Sequence, residues 1–267
     1  MTAFKVHNTL FVGKFVQTLD QTPSTNSYLQ ALVARSTPPE GTVVVAHHQT
    51  DGRGQMGSTW VAPPHQNLTL SVLFYPRHLA AVQQFALSEA VALAIYDTAR
   101  AFVPATAEVA IKWSNDLYIN QRKAGGVLIE NALEGNRVRS SIVGIGFNVL
   151  QTVFDTTLAT RATSLTLEGG DVLLLNDVFE QLCAALEARY LQLIAALRVG
   201  DTALLHTEYL SRLYRFGTQH YYQRTADGSF FEGTIVGVAP TGLLQIRNAT
   251  TDKVESFAVK EVAFVMH

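Results

Sequence analysis

The sequence predicts an α+β fold, a mixed β-sheet flanked by helices and followed by a small all-β barrel. Three observations carry that expectation. Strand-like runs before Val149 are neighbours joined by short turns, while helical stretches come in blocks, which favours a mixed sheet over a doubly wound parallel one. Residues 83–102 and 172–196 repeat apolar side chains at helical spacing. After Phe216-Gly217 the pattern changes to short alternating runs divided by Asp227-Gly228, Pro240-Thr241-Gly242 and Thr251-Asp252, the punctuation of a barrel of about fifty residues. A boundary near Gly217 gives two regions, 1–216 and 217–267.

The elements follow in order. A strand over 9–16 is expected to pair with the sheet. Thr22-Pro23-Ser24-Thr25-Asn26 is a capping signal, and Tyr28, Leu29, Leu32 and Val33 continue it as an amphipathic helix that stops near Ser36, before Pro38-Pro39. Strands over 42–49 and 68–75 flank a glycine-rich segment. The helix 83–102 sets Leu87, Val91 and Ile95 on one stripe among alanines and reads as well buried. Short strands at 109–113 and 117–119 precede the turn Asn120-Gln121-Arg122, and 125–133 with 138–149 form a hairpin around Glu134-Gly135-Asn136. Helices over 172–196 and 201–214 close the first region, and strands at 219–224, 229–239, 243–247, 254–259 and 262–265 make the second.

Composition bounds the function. With 267 residues, 48% hydrophobic and 16% charged, the chain can bury a sizeable core and is not disordered. A net charge of -2 argues against a broad nucleic-acid-binding surface. The single cysteine, Cys183, sits in a leucine- and alanine-rich helical stretch and reads as a core residue. His47-His48 has no carboxylate or cysteine at metal-ligand spacing, so no zinc site is expected. No apolar run is long enough to span a bilayer and no signal peptide is seen, so the expected location is cytoplasmic.

Three clusters carry chemistry. In Gly52-Arg53-Gly54-Gln55-Met56-Gly57-Ser58-Thr59-Trp60, the glycines permit a tight bend, Arg53 offers a forked donor for phosphate or carboxylate, and Trp60 supplies a flat apolar wall. Alone, such a run also fits a flexible surface loop. Lys112-Trp113-Ser114-Asn115-Asp116, continued by Lys123 and Gly126, puts two lysines on opposite arms of a hairpin. There they either converge on one pocket or end as exposed strand termini. Asn115 offers an amide to a base edge, and Asp116 a carboxylate to a Mg²⁺ that bridges phosphates. In Gly144-Ile145-Gly146-Phe147-Asn148, glycines in a strand let a ligand or another backbone approach closely, and Asn148 offers an amide to an adenine or ureido group.

Together with Ser24-Thr25-Asn26, and in this order, these clusters resemble the biotin–protein ligase family. Ser24-Thr25-Asn26 matches its Ser-Thr-Asn, and Gln49 through Gly52-Arg53-Gly54 to Gly57 and Trp60 its biotin loop. Lys112-Trp113-Ser114-Asn115-Asp116 with Lys123 and Gly126 matches its Lys-Trp-Pro-Asn-Asp followed by Lys-x-x-Gly, and Gly144 to Asn148 its Gly-x-Gly-x-Asn. The region around 233–246 is similar to its C-terminal SH3-like barrel, so the resemblance covers nearly the whole chain.

The resemblance implies a catalytic domain over 1–216 and two steps: biotin and ATP give biotinyl-5′-AMP and pyrophosphate, and a lysine of a biotin carboxyl carrier domain then takes the biotinyl group. By the same resemblance Arg53, Lys112 and Lys123 are the catalytic cations. Ser24, Thr25, Asn26, Gln49, Gly52, Arg53, Lys123 and Gly126 serve biotin, with Leu128 as a further apolar wall. Gln55, Met56, Trp60, Asn115 and Asn148 serve the adenylate, and Asp116 is the Mg²⁺ ligand. Two departures stand out. Gln55 occupies the place where a second arginine often follows Gly-Arg-Gly, leaving fewer cations in the loop, and Ser114 replaces the usual proline.

Too few residues precede Ser24 for a winged-helix DNA-binding domain, so a ligase without repressor function and without a DNA partner is expected. An exposed edge strand would pair two chains as a homodimer or receive the carrier. The competing readings are a lipoate–protein ligase or octanoyl transferase and a non-catalytic biotin-binding sensor.

Overall fold

The computed structural model describes residues 4–156, 158–169 and 173–265. In chain order the first part holds β1 (Val16–Thr22), α1 (Thr25–Arg35), β2 (Val43–Gln49), β3 (Asn67–Phe74), α2 (Phe85–Phe102), β4 (Val109–Lys112), β5 (Asp116–Ile119), β6 (Arg122–Glu134) and β7 (Arg137–Asn148). The second holds α3 (Leu165–Gly169), α4 (Leu175–Val199), α5 (Ala203–Ser211), β8 (Gln219–Arg224), β9 (Phe230–Val238), β10 (Leu244–Asn248), β11 (Val254–Phe257) and β12 (Val262–Phe264). The expected helix at 172–196 is α4, and its first expected residue, Val172, lies outside the described residues.

Seven strands form one sheet in the order β1-β2-β3-β7-β6-β5-β4. Only β1 and β2 pair parallel, joined by α1, and every other neighbour is antiparallel, so the sheet is mixed. Alternation along the central strands sorts side chains to two faces. Val43, Val45, Leu70, Val72, Val143 and Ile145 enter the larger core, shared with α2 and α4. Val44, Leu73 and Ile142 turn the other way and pack under Leu29 of α1. α1 covers only part of that second face. Beyond it the strands carry small residues, Thr69 and Ser71 on β3 and Gly144 and Gly146 on β7, and the space above them is the cleft.

The expected strand at 9–16 is not formed; the edge strand is β1, which starts at Val16. The segment before it is held instead by a helix carboxylate. Buried Glu187 of α4 accepts the backbone N–H groups of Leu10, Phe11 and Val12 at 2.7, 2.7 and 3.0 Å. These charge-assisted bonds satisfy donors that a strand partner would otherwise take. Cys183, also on α4, is fully buried as expected, and burial pushes its thiol pKa up.

The last five strands form an antiparallel sheet in the order β11-β10-β9-β8-β12. Its buried Tyr222, Ile235, Leu244 and Ile246 continue the larger core. It also meets the first sheet at a specific bond: Trp113 Nε1 donates to the Gly242 carbonyl at 3.0 Å.

Candidate functional site

Residues 52–60 form a short internal hairpin over the cleft. Trp60 N–H donates to the Gly52 carbonyl at 2.8 Å, Arg53 and Thr59 form a bridge, and Gly54 N–H donates to the Ser58 carbonyl at 2.6 Å. A Cβ on Gly52 would lie 2.2 Å from the Trp60 carbonyl oxygen, so the close pairing requires glycine there. The turn uses left-handed backbone at Met56 (φ 51°) and Gly57 (φ 77°). The Trp60 ring lies where a Cβ on Gly146 would be, 2.3 Å from its nearest ring atom. A Cβ on Gly144 would come 2.4 Å from Asn26 Oδ1. The two strand glycines therefore admit a ring and an amide to the sheet face.

A chain of hydrogen bonds fixes the wall. Ser24 caps α1, accepting from Ser27 N–H. Thr25 donates from both N–H and Oγ1 to Gln49 Oε1, at 2.7 and 3.0 Å, which leaves the Gln49 amide nitrogen as the donor still to be used. Ser71 Oγ donates to Asn26 Oδ1 at 2.5 Å, and Asn26 Nδ2 donates to Glu130 Oε2 at 2.7 Å. Glu130 also takes both terminal nitrogens of Arg53, at 3.1 and 2.9 Å. Arg53 thus reaches the cleft with its fork engaged, and an incoming carboxylate or phosphate must exchange with Glu130.

Across the cleft, Lys123 Nζ pairs with Asp116 Oδ1 at 2.8 Å. Gly126 lies beneath this pair: a Cβ there would sit 3.0 Å from Asp116 Oδ1 and 3.4 Å from Lys123 Nζ. The backbone of Lys123 is held on its far side, donating to the Arg161 carbonyl and accepting from Thr163 N–H. Ser114 Oγ donates to Gln55 Oε1 at 2.8 Å, so the two departures from the family pattern bond to each other. Asn115 Nδ2 donates to the Val127 carbonyl.

Ser24, Thr25, Asn26, Gln49 and Arg53 therefore share one cleft with Gln55, Trp60, Asn115, Asp116, Lys123 and Gly126, which opens to solvent. Leu128 lines it as well. Gly52 and Met56 belong to the hairpin but not to the lining, and Met56 points outward, 66% exposed. Lys112 stands behind the cleft: its Nζ donates to Tyr118 Oη at 2.9 Å and lies over the Tyr118 and Phe264 rings. Burial holds its pKa below the usual lysine range, and burial followed by the charge of Asp116 pushes Tyr118 up to about 12. Asn148 is buried at the strand end, where its Nδ2 donates to the Thr163 carbonyl at 3.0 Å.

Sequence reading gave no role to Glu130, Ser71 or Thr69, and placed no residue of the last sheet at the site, although Val259 and Lys260 line the cleft. Glu130 carries a signal in retrospect, a charge two residues after Leu128 on the same strand face. Lys260 has none.

A glycine-rich lid, a helix start and a lysine–aspartate pair are gathered on one sheet face. Residues 18–148 match the model of the biotin/lipoate A/B protein ligase family. The bifunctional ligase/repressor BirA of Bacillus subtilis is 33% identical over 216 residues, 79% of this chain and 63% of that protein. The biotin–[acetyl-CoA-carboxylase] ligase of Mycobacterium tuberculosis is 33% identical over 173 residues, 64% of this chain and 62% of that protein. The chain thus spans somewhat less than two thirds of these relatives. A solved structure of the biotin protein ligase of Aquifex aeolicus in complex with biotin and ATP shares the fold, with a TM-score of 0.71 at 23% identity over 95% of this chain and 100% of that one.

Proposed function

We propose that this chain is an ATP-dependent biotin–protein ligase, with a catalytic domain over 1–216 and an SH3-like domain over 217–267. A carboxylate oxygen of biotin attacks the α-phosphorus of ATP, the bond to the pyrophosphate oxygen breaks, and biotinyl-5′-AMP forms. The ε-amine of a carrier lysine then attacks the acyl carbon, an amide forms, and AMP leaves with the acyl oxygen. The observation that carries this reading is the pair of opposed binding groups in one cleft: the Gln49 amide, oriented by Thr25, faces the cleft that also holds the Lys123–Asp116 pair under the Arg53 hairpin.

In this reading Gln49, Thr25 and Asn26 hold the ureido end of biotin, with Ser24 fixing the helix start that carries them. Gly126 and Leu128 make room for the ring and chain. Two anions repel as they approach, and Lys123 and Arg53 offset that repulsion and the charge developing in the transition state. Asp116 orients Lys123. Asn115, with Gln55 and Trp60 of the lid itself, lies on the adenylate side, and the lid keeps water from the reactive anhydride. Lys112 and Asn148, which stand outside the lining, act as positioning residues behind it.

The proposed Mg²⁺ fits only as an ion carried by the nucleotide. No group of three or more metal-ligating side chains exists among the described residues, and Asp116, the lining carboxylate, is already paired to Lys123. Mg²⁺ prefers phosphate oxygens and water with one or two carboxylates, and neutralises charge on the phosphates when bound.

The proposed partner is the carrier domain of a biotin-dependent carboxylase. One outer edge of the large sheet, β4, is met by Leu213 and Tyr214, which leaves β1 as the edge proposed for carrier docking or a homodimer. A cytoplasmic location is part of the same reading; no helix among the described residues is long and apolar enough to cross a membrane.

ATP–pyrophosphate exchange, run with biotin, lipoate, octanoate and no acid, tests the proposal. Exchange with biotin alone is expected. Exchange with lipoate or octanoate would move the chain to the other branch of its family, and binding of biotin without exchange would make it a sensor.

A further inference from the structure

The last sheet reaches the cleft at one turn, residues 258–261, between β11 and β12. That turn is fixed on several sides. Thr225 Oγ1 donates to the Lys260 carbonyl at 2.6 Å, Thr225 N–H to the Glu261 carbonyl at 3.0 Å, and Ala258 N–H to Glu261 Oε2 at 2.6 Å. The fixed backbone places Lys260 at φ 71°, in the left-handed region where a lysine is uncommon. Such a conformation persists only where its surroundings impose it, and outliers of this kind gather at sites with a function. Here the strained residue aims its ammonium at the lid: Lys260 Nζ donates to the Met56 carbonyl at 2.6 Å, across 204 residues of sequence.

The contact falls at the tip of the lid. Met56 and Gly57 form the left-handed tip of the 52–60 hairpin, and Met56 presents its side chain to solvent. On one flank Gln55 is tied to Ser114 by an uncharged bond. On the other stands Lys260, and Gln55 itself brings no charge. An ammonium has three donors; one is used on Met56, and Lys260 is also among the residues that line the cleft.

We propose that Lys260 is the latch of this lid: a positioning residue on the C-terminal sheet that holds the 52–60 hairpin closed over the cleft and adds there the positive charge that Gln55 lacks. The role in catalysis rests on the ligase reading above; the mechanical contact does not. It gives the C-terminal sheet a defined task, retention of the acyl-adenylate until the carrier arrives.

The test uses the full chain as wild type, Lys260→Met, Lys260→Arg and Lys260→Gly. With biotin and ATP, Lys260→Met is expected to raise the KM for ATP and the rate at which biotinyl-5′-AMP escapes the enzyme by about tenfold each, a typical consequence of losing a hydrogen bond to a charged group. The kcat of pyrophosphate exchange at saturating ATP is expected to stay within about threefold, because Lys260 acts on retention rather than on the reacting atoms. Lys260→Arg should recover most of the loss. Lys260→Gly relieves the left-handed strain, so its thermal midpoint should equal or exceed wild type while adenylate still escapes as in Lys260→Met. That combination separates the latch from folding. Adenylate escape and ATP KM unchanged in both Lys260→Met and Lys260→Gly would overturn the proposal. If the wild type shows no exchange with any acid, the ligase reading has failed, and the latch is read from the rate of tryptic cleavage after Arg53 without ligands. Faster cleavage in Lys260→Met supports it, and equal rates overturn it.

Discussion

The two lysines of the second cluster differ by their neighbours. Lys123 stands on Gly126 with Asp116 at 2.8 Å and lines the cleft, whereas Lys112 is stacked on Tyr118 and Phe264 behind it, its charge opposed by burial. Lys123→Met is therefore expected to reduce biotin-dependent exchange by about 10²–10³-fold, the usual effect of removing one donor aimed at developing charge. Lys112→Met should cost about tenfold or less and change stability by less than about 1 kcal/mol, since a lost hydrogen bond and ring contact are offset by removing a desolvated ammonium. Exchange rates and urea melts of the two variants decide this, and a Lys112→Met enzyme as impaired as Lys123→Met would return Lys112 to the cleft. The sequence displays both lysines but not this difference. A register shift between Leu117 and Tyr118 sets which side chain each strand position presents, and the ring over Lys112 comes from Phe264, far along the chain. Glu130 was visible as a charge in an apolar strand, yet its partner Arg53 lies 77 residues away and nothing local announces the pairing.

At the scale of elements, β7 shows how a strand serves as a floor. Its odd-numbered residues Val143, Ile145 and Phe147 fill the core, and the even-numbered Gly144 and Gly146 leave the opposite face bare for Asn26 and Trp60. Gly146→Ala puts a methyl group into the Trp60 ring without disturbing the buried face. The fold should survive, with unchanged far-ultraviolet circular dichroism, while biotin-dependent exchange falls at least about tenfold, because lid misplacement by about an ångström costs on the order of 10²-fold in a positioned reaction. Near-normal exchange in Gly146→Ala would mean that the ring position is immaterial. This strand, the capping signal at Ser24 and the hairpin around Gly135 were legible because alternation, capping and turn chemistry are local. The N-terminal edge was not. Residues 16–22, Val-Gln-Thr-Leu-Asp-Gln-Thr, are mostly polar because an edge strand is wetted, and the more apolar 9–16 has its donors claimed by Glu187 of α4. No pattern within either segment reveals that exchange. The short helix α3 likewise lacks a full turn of periodicity beyond its five residues.

For the molecule as a whole, the two sheets are one working unit joined through the helices behind them. The barrel-like composition of the last fifty residues was readable, but not its approach to the cleft, which depends on contacts such as Trp113 to Gly242 over 129 residues. Helix α5 ties this arrangement together: Tyr209 Oη donates to the Ser114 carbonyl at 3.4 Å, and His206 Nδ1 lies 2.7 Å from Glu89 Oε1 on α2. Glu89 is 3% exposed, and burial raises its carboxyl pKa above 4.5 despite the opposing bond to His206. A raised acid pKa means that the folded state binds more protons than the unfolded state between 4.5 and the raised value. Stability contributed by this group is therefore greatest in acid, falls as pH rises through that window, and is lowest at neutral pH. Glu89→Gln keeps a hydrogen-bonding side chain and removes the titration. Relative to wild type, it should gain more stability at pH 7 than at pH 4.5, as read from urea midpoints at constant ionic strength. An identical difference at both pH values would show that Glu89 keeps its charge in the fold at no cost, and that His206 compensates for burial in full.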